Sequence, residues 1–295
     1  MIFILVLTSC IFFKEKQEYT FEYEFENEIT QSEIKQTINV VNKRLDRFGI
    51  EHDIKKEGRN TLSLKLRAYK IDTTRVNNLI VNQGKLEFWE LYNGDEFDYN
   101  EGALFDIKET ETENNFDVTF DHDIIFSKYK GAPEILKAHV KDTSVINMFL
   151  NKENFTNTLA KENRHVKFLW GVPEQDYLPL YAAKPNAKNK ASLTGKVITN
   201  AIQSFGYTNR PEISIEMNEE GALIWERITG DAFANNTKIA IVLNDVVYSA
   251  PGVTSGPIAR GRSQISGNFT IQQAQDLAII LSSSGSVPKL RLVNK

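Results

Sequence analysis

The sequence predicts an α+β protein, a ferredoxin-like β-α-β-β-α-β base followed by an α+β head built on a mostly antiparallel sheet. Three observations carry that reading. Tyr19, Phe21, Tyr23 and Phe25 alternate with polar residues, the period of a strand with one buried face. Two capping boxes, Thr30 with Glu33 and Thr270 with Gln273, each open an apolar stripe of helical period. Short turns at Gly58-Arg59-Asn60 and at Asn244-Asp245 separate apolar runs of strand length. The chain divides accordingly into a signal peptide or membrane-anchor segment (1–16), the base (17–93), an acidic insertion with a helix and a hairpin (94–192), and the head (193–295).

The base is read element by element. After the first strand, Ile34, Ile38, Val41, Leu45 and Phe48 form one helical stripe that stops at Gly49. Residues 50–56 supply a second strand, and Leu62, Leu64 and Leu66 alternate along a returning third. Asp72 caps a second helix that runs to about Asn82, and residues 86–92 are expected to close the sheet as its fourth strand.

Residues 95–123 hold eleven acidic side chains and one lysine, Lys108, a composition that predicts an exposed, partly mobile insertion. Asp121, His122 and Asp123 do not make a metal site on this pattern, since neighbouring strand residues point to opposite faces. Farther on, 143–162 reads as helical, and 165–170 with 177–183 as a hairpin around Pro173.

The head repeats the logic of the base. Ile213, Ile215 and Met217 alternate, Asn218 caps a helix carrying Leu223, Ile224 and Trp225, and 239–243 is an apolar strand. Residues 246–248 pair back across the Asn244-Asp245 turn, and 258–266 add another strand. Ala274, Leu277, Ala278 and Leu281 make the last helix stripe, after which 287–293 is expected to give the last strand of the head.

Composition narrows the function classes. At 295 residues with 41% hydrophobic side chains the chain can bury one or two sizeable cores. With 35 basic against 39 acidic residues the net charge is -4, which argues against a nucleic-acid partner. His52, His122, His139 and His165 are scattered, and Gly206, Gly221, Gly230 and Gly261 lack phosphate-loop spacing and are read as helix ends or turns. Ser249 lacks the glycine two residues before it that a nucleophile elbow needs. No enzyme is indicated, and no catalytic, cofactor-binding or metal-ligating residue is assigned. Trp89, Trp170 and Trp225 could line a groove for unfolded clients, but large aromatics are usually core, and the three are not assigned to a binding surface.

At the N-terminus, residues 1–13 are almost wholly apolar, and Leu7-Thr8-Ser9-Cys10 resembles a bacterial lipobox, which implies lipid attachment at Cys10. The alternative is a shortened membrane span. Thirteen residues at about 1.5 Å each fall short of a hydrocarbon core roughly 30 Å thick. The segment also lacks the positively charged start of a signal peptide.

Several blocks carry a family resemblance in chain order: VNKRLDRFGI at 41–50, GKLEFWE at 84–90, LTGKVITNA at 193–201, RPEISIEMNEEGALIWERIT at 210–229, KIAIVLNDVVYSAPGVTSGPIARGRSQISGNFT at 238–270, and TIQQAQDLAIIL at 270–281. Together they resemble the extracytoplasmic P1 region, base and head, of SecD and of fused SecDF proteins of the Bacteroidetes type. The resemblance implies a membrane-anchored periplasmic accessory of Sec-dependent translocation with a hinge between base and head and no cofactor. Its partners would be the Sec translocon with its membrane subunits and unfolded exported polypeptides, reached from the membrane through the N-terminal anchor. Two departures qualify the expectation. No apolar run of spanning length follows the P1-like part, so the chain is not expected to transduce proton-motive force alone, and the Gly-Gly motif usual after the first span is not found. The alternative reading is an envelope lipoprotein that keeps the P1 fold as a ligand- or partner-binding module without translocation activity.

Overall fold

The computed structural model describes residues 15–93, 124–127, 131–151, 165–283 and 285–294. Cys10, the acidic stretch 95–123 with its Asp121-His122-Asp123 triplet, and residues 152–162 of the helix expected over 143–162 lie outside the described residues. The chain forms two compact units, one of residues up to 82 together with those from 287 onward, the other of residues 83–286.

In the first unit the chain runs β1 (Gln17–Phe25), α1 (Gln31–Phe48), β2 (Glu51–Glu57), β3 (Thr61–Ala68) and α2 (Thr73–Val81). Phe21, Tyr23 and Phe25 turn inward from β1, and Leu62, Leu64 and Leu66 from β3, each at most 2% exposed. The helix α1 starts at a capping box in which Glu33 N donates to Thr30 Oγ1 and Thr30 N to Glu33 Oε2. It ends at Gly49, whose φ of 76° is open to glycine at little cost. In α2, Asp72 Oδ1 accepts from Arg75 N at 3.0 Å.

The fourth strand of this sheet is not the one predicted. Residues 86–92 do not close it; the closing strand is β15 (Leu290–Asn294), and the order is β15-β1-β3-β2 with every neighbouring pair antiparallel. That is the ferredoxin-like arrangement, completed by a strand that follows the second unit in sequence. Residues 287–293 correspondingly do not supply a strand to the head. Burial explains the exchange. In β4 (Leu86–Leu91) the adjacent Phe88 and Trp89 are both buried, which demands cover on both faces, whereas β15 buries only its first residue, as an edge strand can.

The second unit places β4 at the middle of an eight-stranded sheet. The strands are β5 (Ile124–Phe126), β6 (Glu134–His139), β7 (Lys167–Trp170), β8 (Tyr177–Lys184), β9 (Leu193–Thr194), β12 (Ile239–Leu243) and β13 (Val246–Ser249), in the order β13-β12-β4-β8-β6-β5, with β7 on β8 and β9 on β4. The predicted hairpin is present as the antiparallel pair β7 and β8. Asn244 and Asp245, at φ 52° and 64°, make the tight turn between β12 and β13. A short helix, α3 (Thr143–Leu150), covers β6 and β8 through Ile146 and Leu150.

On the other side of β4, Phe88 joins a core shared with a three-stranded sheet of β10 (Ile198–Phe205), β11 (Pro211–Met217) and β14 (Arg262–Ile265), ordered β10-β11-β14. Two helices pack there, α4 (Glu219–Ala234), capped by Asn218, and α5 (Ile271–Leu281), opened by the Thr270 and Gln273 capping box. The head is α+β with antiparallel pairing, as predicted. It is not a second β-α-β-β-α-β unit, because its strands divide between two sheets. Among the described residues no helix is long and apolar enough to cross a membrane.

Candidate functional site

A cleft of about 620 Å³ opens in the head between α4, β11, β12 and β14. Its walls are apolar, from Ile215 on β11, Trp225 on α4, Ile239 and Ile241 on β12, and Val253 and Ile258 on the 250–261 connection. Its rim is polar. Glu216 and Arg262, on paired strands, meet at 3.4 Å with both side chains largely exposed, a pair worth little in stability but able to orient a charged or polar ligand.

The wall formed by residues 250–261 is held close to α4 by three local devices. Thr229 Oγ1 accepts from Ile258 N at 2.9 Å and donates to the Trp225 carbonyl at 2.6 Å. A Cβ at Gly230 would stand 3.2 Å from Pro257 Cγ, and one at Gly261 would stand 2.8 Å from Ala222 Cβ. Gly221 and Gly230, read from sequence as helix ends or turns, lie inside α4, and their function is close packing. Opposite, Ile239 N donates to Pro251 O at 3.2 Å, tying the connection to β12.

The distinguishing group of the cleft is Trp225. Its ring packs edge-on against Phe88, with centroids 5.1 Å apart, and the side chain is 4% exposed, so it is a core aromatic. Yet it also lines the cleft, and among the described residues its Nε1 has no hydrogen-bond acceptor. A buried indole N–H without an acceptor costs about 1–3 kcal/mol, and a ligand carbonyl that reached it would recover that cost. The other two tryptophans are satisfied: Trp89 Nε1 donates to Glu87 Oε2 at 3.1 Å and Trp170 Nε1 to Asn147 Oδ1 at 2.9 Å. β14 pairs with β11 along one side, and among the described residues its other side carries no paired strand. The cleft therefore combines an apolar floor with a strand edge, which suits an extended chain with apolar side chains, and the buried Trp225 donor belongs to one of its lining residues.

The remaining candidates stay apart. His52 lies in the first unit, its Nδ1 2.9 Å from Ile50 O and its Nε2 3.2 Å from Asn42 Oδ1, a half-buried histidine engaged at both ring nitrogens. His139, in the second unit, accepts from Lys141 N at the start of a short 3-10 turn. Ser249 ends β13, as read from sequence. Sequence alone offers Trp225 as a groove-lining aromatic without assigning it; the structure places it on the cleft, and the missing acceptor is a property of the folded surroundings.

Residues 179–288 match the family described as SecDF, P1 head subdomain. The chain is 46% identical over 119 residues to the protein translocase subunit SecD of Rhodothermus marinus, a match covering 40% of this chain and 18% of that relative. SecD of Calditerrivibrio nitroreducens is 44% identical over 102 residues, 34% of this chain and 19% of the relative. The chain thus spans less than a fifth of these relatives. Two solved structures share its fold: SecDF in a super-membrane-facing form, with a TM-score of 0.59 at 20% identity over 95% of this chain and 30% of that one, and a membrane component SecDF that enhances protein export, with a TM-score of 0.55 at 21% identity over 94% of this chain and 99% of that one. Residues 179–288 are thus similar in sequence to the SecDF P1 head subdomain, and the chain shares the α+β fold of the two SecDF structures.

Proposed function

We propose that this protein assists Sec-dependent translocation on the extracytoplasmic side of a membrane, and that the head cleft holds a segment of emerging unfolded polypeptide. The observation that carries the reading is the Trp225 indole N–H, buried at the wall of an apolar cleft without an acceptor. An extended client offers a backbone carbonyl to that donor, apolar side chains to Ile215, Ile241 and Val253, and backbone pairing to the edge of β14. These contacts are sequence-tolerant, as an export accessory requires. The relatives' name, protein translocase subunit SecD, supports the same reading. The anchor is Cys10, carrying a lipid on its sulfur, and the translocon and its membrane subunits are the neighbours it would keep within reach.

A photoreactive residue at Val253 or Ile258, with Lys35 on α1 as the control position, tests the cleft in cells. Crosslinks from Val253 and Ile258 to stalled exported chains, absent at Lys35, are expected. Crosslinks at none of the cleft positions would overturn polypeptide capture. Comparison with Cys10→Ala tests the tether, since translocon contacts that survive this substitution unchanged would remove the lipid from the account.

A further inference from the structure

We propose that a second, lysine-lined cavity in the 83–286 unit binds a phosphate ester. The cavity holds about 450 Å³ and is bounded by the start of β4, Lys167 on β7, the loop around Lys190, the turn at Gly195 and Lys196, and Leu281, Gly285 and Ser286. Nothing in the polypeptide-capture reading uses it.

Two of its four lysines are neutralised. Lys85 Nζ lies 2.9 Å from Asp245 Oδ1 and 3.4 Å from Glu87 Oε1, and Lys167 Nζ lies 3.2 Å from the same Asp245 oxygen and 3.9 Å from Glu87 Oε2. Lys167 also stands 4.9 Å over the Trp89 ring. Two ammonium groups therefore face two carboxylates. Lys190 and Lys196 line the same cavity and have no ion-pair partner among the described residues, which leaves a local surplus of two positive charges.

The free lysines are borne on ordered backbone. Asn186 Oδ1 accepts from Lys188 N at 2.8 Å and from Lys190 N at 3.1 Å, and Asn186 Nδ2 donates to Ala191 O at 2.9 Å, so the loop is fixed around one side chain. Lys196 follows Gly195, whose absent Cβ would stand 3.0 Å from Leu86 Cβ, and the turn is thereby drawn onto the cavity wall.

A surplus of two charges matches a phosphate monoester, which carries about -1.5 to -2 at neutral pH, better than a single carboxylate. Lysines act on phosphate as point charges and need no bidentate geometry. The volume exceeds what a lone phosphate fills and falls in the range of small-molecule sites, about 300–1,000 Å³. Leu86, Trp89 and Leu281 supply an apolar wall for the organic part of the ester. The ester could come from a soluble metabolite or from a lipid headgroup, and the shared chemistry is the phosphate monoester.

The test titrates the full chain with glycerol phosphate by calorimetry, and separately measures its binding to phosphatidylcholine vesicles with and without phosphatidic acid. Lys190→Gln/Lys196→Gln is expected to weaken the response about tenfold or more, while Lys35→Gln/Lys43→Gln on α1 leaves it unchanged. Lys35, Lys43, Lys190 and Lys196 are all exposed, and circular dichroism melts of the variants are expected to coincide with that of the natural chain. Variant-sensitive binding of glycerol phosphate supports the proposal with a soluble ligand. Variant-sensitive binding to phosphatidic acid vesicles alone supports it with a headgroup. Absence of binding to both probes, or binding that Lys190→Gln/Lys196→Gln does not change, overturns it.

Discussion

Arg44 Nη1 donates to the carbonyl oxygen of Leu79 at 2.9 Å, deep inside the first unit. The same nitrogen reaches Asn82 O at 2.6 Å, so a fully buried guanidinium on α1 closes the C-terminal turn of α2. Burial pulls its pKa down to about 10, which still leaves it charged at neutral pH. Arg44→Ala removes these donors and opens a cavity, with an expected loss of about 3 kcal/mol. Arg44→Met keeps most of the volume and is expected to recover part of it. An unchanged denaturant midpoint in Arg44→Ala would mean that water serves the carbonyls equally well.

Gly261 has φ +61°, and a Cβ there would meet Ala222 Cβ at 2.8 Å. Gly256 has φ +89° but open space around it. Gly261→Ala therefore carries backbone strain plus overlap, and Gly256→Ala strain alone, of about 1 kcal/mol. The melting temperature is expected to fall further for Gly261→Ala, by several degrees, and client crosslinking from Val253 to fall with it. Equal melting temperatures would show that the 250–261 connection moves away from α4 at no cost.

Trp225→Phe keeps an aromatic ring against Phe88 and deletes the N–H that has no acceptor. Stability is expected to hold or rise by about 1 kcal/mol, offset in part by the smaller ring. Client crosslinking in the cleft is expected to drop. A variant that loses stability and keeps full crosslinking would separate the indole from polypeptide capture.

Burial alone would raise the Asp245 carboxyl, but the hydrogen bonds and charges of Lys85 and Lys167 outweigh it and hold the group below its ordinary 3.8. The folded state therefore binds fewer protons here than the unfolded chain. The resulting stabilisation is present above 3.8 and is lost as pH falls through the lowered folded value. Asp245→Asn keeps a residue that tolerates φ 64° and is expected to flatten the acid limb of a melting-temperature profile below about pH 4. A limb as steep as that of the natural chain would assign the acid sensitivity to other carboxylates.

The beginnings of the helices were legible because capping is local. Thr30, Asp72, Asn218 and Thr270 all accept the backbone N–H that their sequence contexts predict. Strand partners were not legible, since alternation reports which face is buried but not which sheet a strand joins. The clue in β4 was the adjacent pair Phe88 and Trp89, both apolar where a one-faced strand needs alternation. β6 and β10 carry little signal, because EILKAH and ITNAIQSF alternate weakly and are strands through their pairing with β8 and β11. The Trp225 donor and the two unpaired lysines emerge only when distant segments meet around a cavity.

The position of β15 has a consequence for biosynthesis. A ribosome releases β1, β2 and β3 first, then all of residues 83–286, and only afterwards the strand that pairs with Tyr23 and Phe25. Until then the inner edge of β1 has no neighbour, and an unpaired edge is a template for mispairing with other chains. The intervening unit has its own cores, so a chain cut short before Leu290 is expected to hold a formed head beside a base sheet that lacks its closing strand.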